Sequence, residues 1–276
     1  MPGRNWFAPL VFVASLLSSP ARVGPTIPPF AVDFPPIRSG PPLFAFNGKN
    51  LDGFYTFTRQ SHFADPNHVF TVQNGMVRVS GQETGGFATR ETFADYHLIV
   101  EWKWGEATWY PRRFEARNSG VMVHSVGLDG DALACWMQSI ECQINEGGCG
   151  DLIVVPGKSA DPVQLSSEVR VSSDGQSFYQ KGGTVKTLRR GRFNWWGRDP
   201  DWKNVLWFHG PNDIEKPHGE WNRLEIVCKG SSIECVLNGI LVNAGQKSTL
   251  TAGKILFQSE GAEIFFRTIE VRPLPK

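Results

Sequence analysis

Apolar and polar residues alternate with a period of two along most of this chain. Within residues 95–104, Leu98 and Val100 share one side of the pattern, whereas Glu101 and Lys103 share the other. Successive side chains of an extended strand point to opposite faces, so this alternation predicts half-buried β-strands. No window of helical length carries a convincing 3.6-residue apolar repeat, and the pattern therefore favours an all-β fold.

Tight turns separate many of the predicted strands. Asn-Gly pairs occur at residues 47–48, 74–75 and 238–239, and Asn-Gly readily adopts the positive φ angles of a type I′ turn. Residues 174–217 are rich in Gly, Trp, Arg, Asn and Pro and are interpreted as long loops with short strands. Many short strands joined by turns favour two packed antiparallel sheets, as in a sandwich or jelly roll.

The most informative stretch is residues 118–151, where a row of polar residues lies on one predicted strand. If Ile140 faces the core, the alternation places Glu141, Gln143 and Asn145 together on the opposite face. An ordinary surface strand shows the same alternation, so the row alone does not define a site.

Rings and charges flank this polar row, and a Gly-rich bend returns Asp151 towards it. Pyranose faces stack on aromatic rings while sugar hydroxyls need donors and acceptors, so this combination favours a carbohydrate site. The flanking aromatic and basic residues are Trp104, Trp109, Tyr110, Arg112, Arg113, Arg117 and Trp136.

The N-terminal part of the chain predicts export. Residues 1–21 have a positive start at Arg4, an apolar run and a small-residue cleavage site, as in a secretory signal. Residues 22–42 contain many prolines and are interpreted as an extended linker. The remaining residues, 43–276, form one predicted domain without a further membrane helix. We therefore expect a secreted or periplasmic protein.

Charge and cysteines narrow the possible partners. The formal net charge is +1, from 28 basic and 27 acidic residues, and long basic runs are missing, which argues against nucleic acid or an anionic membrane as a partner. A turn at residues 231–232 would place Cys228 opposite Cys235, either as a disulfide or as two buried thiols. Cys142 and Cys149 could also pair, which leaves Cys135 odd.

Histidine and cysteine spacings give no support for a bound metal. Cys-x-x-Cys, His-x-His and His-Glu-x-x-His are all missing from the sequence. We therefore expect no cofactor, although a divalent metal stays open.

Several motifs in a fixed order resemble the 3-keto-disaccharide hydrolase family, long known only as a domain of unknown function. The resemblance covers about residues 43–273 and implies a concanavalin-like jelly roll that acts on 3-keto-glycosides. It also implies a small-molecule or oligosaccharide substrate and a separate sugar 3-dehydrogenase to supply it. The motifs are Leu43-Phe44, Asn47 to Gly53, Asn118-Ser119-Gly120-Val121, Ile140-Glu141-Cys142-Gln143, Gly150-Asp151, Glu220-Trp221-Asn222 and Gly253 to Arg267.

The implied chemistry needs a base near C2, a donor for the enolate oxygen at C3 and an acid for the departing oxygen. Glu141 is the candidate base. Gln143 with Asn118 or Arg117 would supply the donors. The remaining candidates are Glu146 and Asp151 as acid or metal ligand, and Trp104, His124 and His209 as substrate-binding residues.

Each candidate also has a structural interpretation. Asn118 could belong to a simple turn, Arg117 to an ion pair, His124 and His209 to packed or surface positions, and the tryptophans to the core.

Two other functions are compatible with the sequence. The spacing Glu141-x-Gln143-x-x-Glu146 is similar to the Glu-x-Asp-x-x-Glu of retaining β-glucanases, although Gln replaces Asp and a bulge would be needed to bring both glutamates into one cleft. A lectin-like module that binds glycans without catalysis is the third hypothesis, because the fold alone does not determine function.

Overall fold

The computed structural model describes residues 25–32 and 34–275. The predicted signal, residues 1–21, lies outside the described residues. Over the described ranges the chain forms nineteen β-strands and one short helix, α1 (Pro29–Val32), which confirms the all-β prediction. This helix of four residues is far too short to cross a membrane, and no other helix is described.

The first large sheet is antiparallel, with the strand order β17-β16-β15-β7-β19-β4-β3 and β1 paired to β19. Its long central strands, β7 and β19, pair over most of their length. The strands are β1 (Phe44–Ala45), β3 (Phe70–Gln73), β4 (Met76–Val79), β7 (Tyr96–Thr108), β15 (Asn222–Lys229), β16 (Ser232–Leu237), β17 (Ile240–Gly245) and β19 (Ala262–Pro273).

The second large sheet is also antiparallel, with the order β14-β10-β9-β8-β18-β5-β2 and β6 paired to β18. It contains the predicted polar row at its centre, on β9. The strands are β2 (Phe54–Thr58), β5 (Gly85–Thr89), β6 (Phe93–Ala94), β8 (Asn118–Val126), β9 (Gln138–Asn145), β10 (Leu152–Val155), β14 (Gly191–Phe193) and β18 (Ala252–Ser259).

A small third sheet follows the order β12-β11-β13, with β11 (Leu165–Val171), β12 (Ser177–Tyr179) and β13 (Thr184–Leu188). Two of these strands and β14 lie inside residues 174–217, which otherwise form turns and loops, as the composition predicted.

The two large sheets pack face to face over one hydrophobic core. Phe87 and Phe257 of the second sheet stack with ring centroids 4.8 Å apart, and Phe266 of the first sheet lies 5.9 and 5.5 Å from them. Trp102 is fully buried in the same core. The jelly-roll sandwich is thus confirmed, and the second sheet has another face that points away from this core.

Two predicted Asn-Gly hairpins form as expected. Asn74 and Gly75 connect β3 to β4, and Asn238 and Gly239 connect β16 to β17, with positive φ at each of the four residues. Both turns form because asparagine and glycine tolerate positive φ angles better than other residues do.

The expected opposition of Cys228 and Cys235 is wrong. The turn between β15 and β16 lies at residues 230–231, so Cys228 pairs with Ile233 and Cys235 pairs with Ile226. The predicted turn was one residue too late, and a slip of one residue on each side moves the two cysteines out of register. The five thiols are free and buried in this structure.

Part of the proline-rich segment packs against the domain. Ala31 is fully buried, and the ring of Phe30 meets Tyr179 edge-on with centroids 5.7 Å apart. Phe30, Ala31 and Phe34 thus contribute apolar contacts to the domain.

Candidate functional site

The polar row on β9 lies on the outer face of the second sheet, as predicted. Ile140, Cys142 and Ile144 enter the core between the sheets, so Glu141 and Gln143 point away from it. Residues 127–137 fold back over this face, which makes the row the floor of a cleft rather than an exposed surface.

This covering loop is held by a small apolar cluster of its own. Trp136 and Met137 pack with Met122 of β8 and Leu256 of β18, and Trp136 Nε1 donates to Gly85 O at 3.0 Å. Because Glu141 is thereby screened from water, it is only 4% exposed.

A cavity of about 270 Å³ opens at this cleft. Polar and apolar side chains share its lining, which is the pattern expected of a site that orients a small ligand. The polar lining comes from Asn118, Glu141, Gln143, Arg190, Arg192 and Glu260, and the apolar lining includes Leu133, Trp136, Ile153 and Pro156.

A larger cavity, about 490 Å³, lies between the N-terminal segment and the first sheet, with Phe30, Pro35, Tyr179 and Leu241 among its lining residues. Its charged groups, such as Glu234, are not paired with a second carboxylate there. The smaller cavity therefore holds the stronger candidate for chemistry.

Glu141 is the most perturbed group of the cleft. Burial, reinforced by the negative charge of Glu260, raises the pKa of its carboxyl to about 8, while Arg192 opposes this rise. In the amide orientation that its surroundings favour, Gln143 donates Nε2 to Glu141 Oε1 and to Ser119 O. At neutral pH Glu141 is thus mostly a neutral acid held in a fixed place.

Glu260 supplies the second carboxyl of the cleft, just after β18 ends. Burial raises its pKa, whereas Arg112 and a hydrogen bond from Asn118 oppose the rise. Arg112 Nη1 lies 3.3 Å from Glu260 Oε1. The pKa values of both carboxyls in the cleft are therefore raised by burial, and Glu260 has in addition cationic and amide partners that favour its ionised form.

Arg192 reaches the cleft from β14, in the same cross-strand row as Glu141. Ile153 of β10 pairs with both residues, which places them two strands apart. Asp151 accepts from Arg192 Nη1 at 2.6 Å, from Trp195 N at 2.8 Å and from Arg198. Because Asp151 is fully buried behind Arg192, it anchors this guanidinium and is not itself a group that meets a ligand.

Arg117 and Glu146 form a buried pair outside the cavity. Arg117 Nη1 donates to Glu146 Oε1 at 2.6 Å, and the backbone N of Arg117 donates to Oε2 at 2.9 Å. The guanidinium also lies 4.1 Å from the ring centroid of Trp207. Each side chain is only 1% exposed. The pair therefore supports the fold where β8 begins and β9 ends, and neither side chain is placed to meet a ligand.

Two further predicted binding residues lie away from the cleft. Trp104 is buried in the core, where Nε1 donates to Glu215 Oε1 at 2.7 Å, so its ring cannot stack on a sugar in the cavity. His124 is fully buried with Nδ1 3.0 Å from Leu250 O, and burial lowers its pKa to about 4.

His209 lies in the loop beyond β14, near two carboxylates. His209 Nδ1 is 2.5 Å from Asp213 Oδ2, and the ligand atoms of these two residues and Glu215 lie within 4.8 Å of one another. Burial and the nearby charge of Asp213 raise the pKa of Glu215 to about 8. Hydrogen bonds join His209 to Asp213, Glu215 to Asp213 and Trp104 to Glu215.

Of the predicted residues, the cleft therefore contains Glu141, Gln143 and Asn118. Sequence reasoning missed Glu260 and Arg192, although it named their partners Arg112, Asn118 and Asp151. Glu260 lies inside the last family motif, but no pattern in the sequence distinguishes it from its neighbours there. Arg192 lies in a region that was interpreted as long loops with short strands.

Comparison with known proteins then places this arrangement in a family. Residues 42–272 match the family described as the 3-keto-alpha-glucoside-1,2-lyase-like domain. The chain belongs to this family. The resemblance found in the sequence is thus confirmed, and the match spans both large sheets and every residue of the cleft. No curated protein matches the chain.

Solved structures similar to this family member include carbohydrate-related proteins. A candidate glycosyl hydrolase from Parabacteroides distasonis is 19% identical, with 83% of this chain and 92% of that chain covered and a TM-score of 0.47. A carbohydrate-binding module from Bacillus subtilis is 10% identical, covering 80% and 95%, with a TM-score of 0.43. A β-glucanase from Bacillus licheniformis is 10% identical, covering 86% and 100%, with a TM-score of 0.44.

Proposed function

We propose that this carbohydrate-active protein cleaves 3-keto-glycosides by elimination across C1 and C2. The observation that carries the proposal is that two carboxyls, Glu141 and Glu260, and the guanidinium of Arg192 line one cavity. Elimination next to a ketone needs an acid, a base and a stabiliser of negative charge, and these three side chains match that set.

Glu260 acts as the base in this proposal. Its carboxylate takes the hydrogen at C2 as a proton, and the electron pair of that bond forms the enolate of the C3 ketone. The C2 hydrogen is acidic only because the ketone is adjacent, so the unoxidised glycoside offers no comparable proton. Arg112 and Asn118 oppose the rise that burial causes in the pKa of Glu260, and so favour the carboxylate form that a base needs.

Arg192 stabilises the negative charge that develops on the C3 oxygen. A guanidinium keeps its charge throughout the relevant pH range and can donate two hydrogen bonds in a fixed plane. Asp151 holds this side chain from behind, so that little reorganisation is needed when the charge appears.

Glu141 acts as the acid. When the enolate reforms the ketone, the C1–oxygen bond breaks and the departing oxygen takes the proton of Glu141, which leaves a C1–C2 double bond conjugated with the ketone. Addition of water to C1 would complete a net hydrolysis. This assignment reverses the role expected from the sequence, because burial raises the pKa of Glu141 and keeps it protonated at neutral pH.

The apolar residues of the cavity suit a sugar or its aglycone. Trp136, Ile153 and Pro156 contribute apolar surface to the lining that also holds the two carboxyls. Apolar C–H faces of a pyranose pack on such surfaces while polar side chains orient the hydroxyls.

The glucanase hypothesis lacks the geometry it needs. Residues from Asn118 to Val123 pair in unbroken register with Asn145 to Ile140, so no bulge separates Glu141 from Glu146. Glu146 stays bound to Arg117 outside the cavity. The two glutamates therefore do not face one ligand.

The test is release of product from a 3-keto-disaccharide and from its unoxidised parent, each with and without a chelator. We expect turnover of the keto sugar alone, and a loss of about 10²–10⁴-fold in kcat for Glu141→Gln and Glu260→Gln. Glu234→Gln is the matched control, because burial also raises the pKa of that carboxyl but it lies on the first sheet. Turnover of the parent would support a glycosidase, and binding without turnover would support a lectin-like module.

The proposal keeps two expectations about the surroundings of the reaction. A separate sugar 3-dehydrogenase would supply the keto substrate, and the predicted signal would place the protein outside the cytoplasm. Detection of the protein in a secreted or periplasmic fraction tests the second expectation.

A further inference from the structure

Gly120 leaves an open position at the centre of the cleft floor. It lies on β8, where it pairs with Gln143 of β9, and the register of β18 places Gln258 on its other side. A Cβ atom at this glycine would lie 2.5 Å from Glu141 Oε1 and 2.6 Å from Gln258 Oε1. The carboxyl of Glu141 and the amide of Gln258 therefore lie above Gly120, and each comes from a strand next to β8.

The amide of Gln258 is buried and only half satisfied. The residue is fully buried, and Nε2 lies 3.5 Å from Met122 Sδ, a weak acceptor. Its Oε1 has no hydrogen-bond partner within the described ranges. A buried amide oxygen without a donor is costly, so a donor at this place would stabilise the fold.

The carboxyl of Glu141 is the group that can supply this donor. An ionised carboxylate only accepts hydrogen bonds, whereas a protonated one carries an O–H that can donate. Gln143 donates to Glu141 Oε1, and this oxygen and Gln258 Oε1 both approach the Cβ position of Gly120. A protonated carboxyl at this place would therefore have the amide oxygen of Gln258 nearby as an acceptor.

We infer that Gln258 is a positioning residue that accepts a hydrogen bond from protonated Glu141 and so holds the acid's proton until the departing oxygen takes it. The inference rests on the proposed function for its role in catalysis. The hydrogen bond itself does not depend on the identity of the substrate.

Other charged groups act on Glu141 at the same time. Glu260 beyond β18 and Asp151 beyond β9 favour the neutral form, whereas Arg192 on β14 favours the ionised form. These groups stay in place when Gln258 is changed, so a change at Gln258 isolates its own effect.

The opposite amide orientation gives the opposite expectation. If Gln258 Nε2 donated to an ionised Glu141, its loss would destabilise the charged form and move the titration of Glu141 to higher pH. If Oε1 accepts from the neutral form, its loss moves the titration to lower pH. The direction of the shift decides between the two.

The experiment is a carbon-13 NMR titration of the glutamate carboxyls in the full protein, with the Glu141 signal assigned by its absence in Glu141→Gln. We expect Gln258→Met, which has a similar shape, to lower the titration midpoint of Glu141 by about one pH unit, the equivalent of one hydrogen bond. Gln258→Asn retracts the amide by one methylene and should shift the midpoint in the same direction. An unchanged or higher midpoint in both variants overturns the inference.

Gln138→Met is the matched control. Gln138 is also buried on β9, but Nε2 donates to Asp161 O and Oε1 accepts from Gly157 N, away from Glu141. Its replacement should leave the Glu141 midpoint unchanged.

The titration needs no substrate, so it separates this inference from the proposed function. If 3-keto-glycosides are cleaved, Gln258→Met should also move the basic limb of the kcat profile to lower pH with little change in KM. If Gln258→Met lowers the midpoint but the protein does not cleave 3-keto-glycosides, the hydrogen bond is supported and the proposed catalytic role is contradicted.

Discussion

Replacement of Gly120 by alanine tests whether the cleft depends on close approach of Glu141 and Gln258. The added methyl would meet the two side-chain oxygens at 2.5 and 2.6 Å, whereas ordinary contact begins near 3.4 Å. Each oxygen must therefore retreat by about 0.8 to 0.9 Å. The φ angle of Gly120 lies outside the left-handed region, so the effect is steric and involves no backbone strain.

A displacement of this size should cost more in rate than in stability. Misplacement of a reacting group by about 1 Å can lower a rate about 10²-fold, and overpacking typically costs about 1–3 kcal/mol. We therefore expect Gly120→Ala to lower kcat on a 3-keto-disaccharide about 10²-fold while the protein still folds.

The assay combines steady-state kinetics with thermal unfolding. Gly245→Ala is the matched control, because its methyl would meet Leu165 Cδ1 at 2.8 Å on the first sheet, away from the cleft. Similar destabilisation in both variants with loss of kcat only in Gly120→Ala would support the geometry. Full activity in Gly120→Ala would refute the close approach as a requirement.

Three further predictions concern the charged residues. Glu146→Gln should leave Arg117 buried without its counter-charge and lower the free energy of unfolding by about 3–5 kcal/mol in urea titrations. Arg192→Gln should lower kcat by about 10²–10³-fold. An unchanged melting temperature in this variant would show that the loss of kcat does not come from unfolding. Folding raises the pKa of Glu141 to about 8, so the free energy of unfolding should fall as pH rises from about 4.5 to 8. In Glu141→Gln this fall should be smaller by about a few kcal/mol, as measured by unfolding at several pH values.

Periodicity was sufficient to predict the strands and the cleft floor. The alternation around Ile140 and Glu141 determines which side chains enter the core, since a strand that buries one set must expose the other. The hairpin at Asn74 and Gly75 was equally predictable, because its turn chemistry is local.

The partners of the cleft residues depend on contacts that no local pattern reports. Glu146 and Asp151 are acids near a polar row, but only the fold shows that Arg117 and Arg192 meet them. Glu260 joins Glu141 because β18 runs beside β8, a pairing between segments far apart in sequence. Long-range pairing of this kind decides whether a carboxyl is a reacting group or an anchor.

The cysteines show the same limit. The turn lies one residue earlier than expected and places Cys228 beside Ile233. Local spacing therefore predicted the hairpin correctly but not the register of its two strands.

Cleavage of a 3-keto-glycoside in deuterium oxide, followed by NMR of the released sugar, is the measurement we would make first. Proton removal at C2 by Glu260 and later addition of water predict one solvent deuterium at C2 of that sugar. A reaction without enzyme and one with Glu260→Gln control for spontaneous exchange next to the ketone. A released sugar that keeps its original C2 hydrogen would contradict elimination and show that the bond to the aglycone breaks by another route.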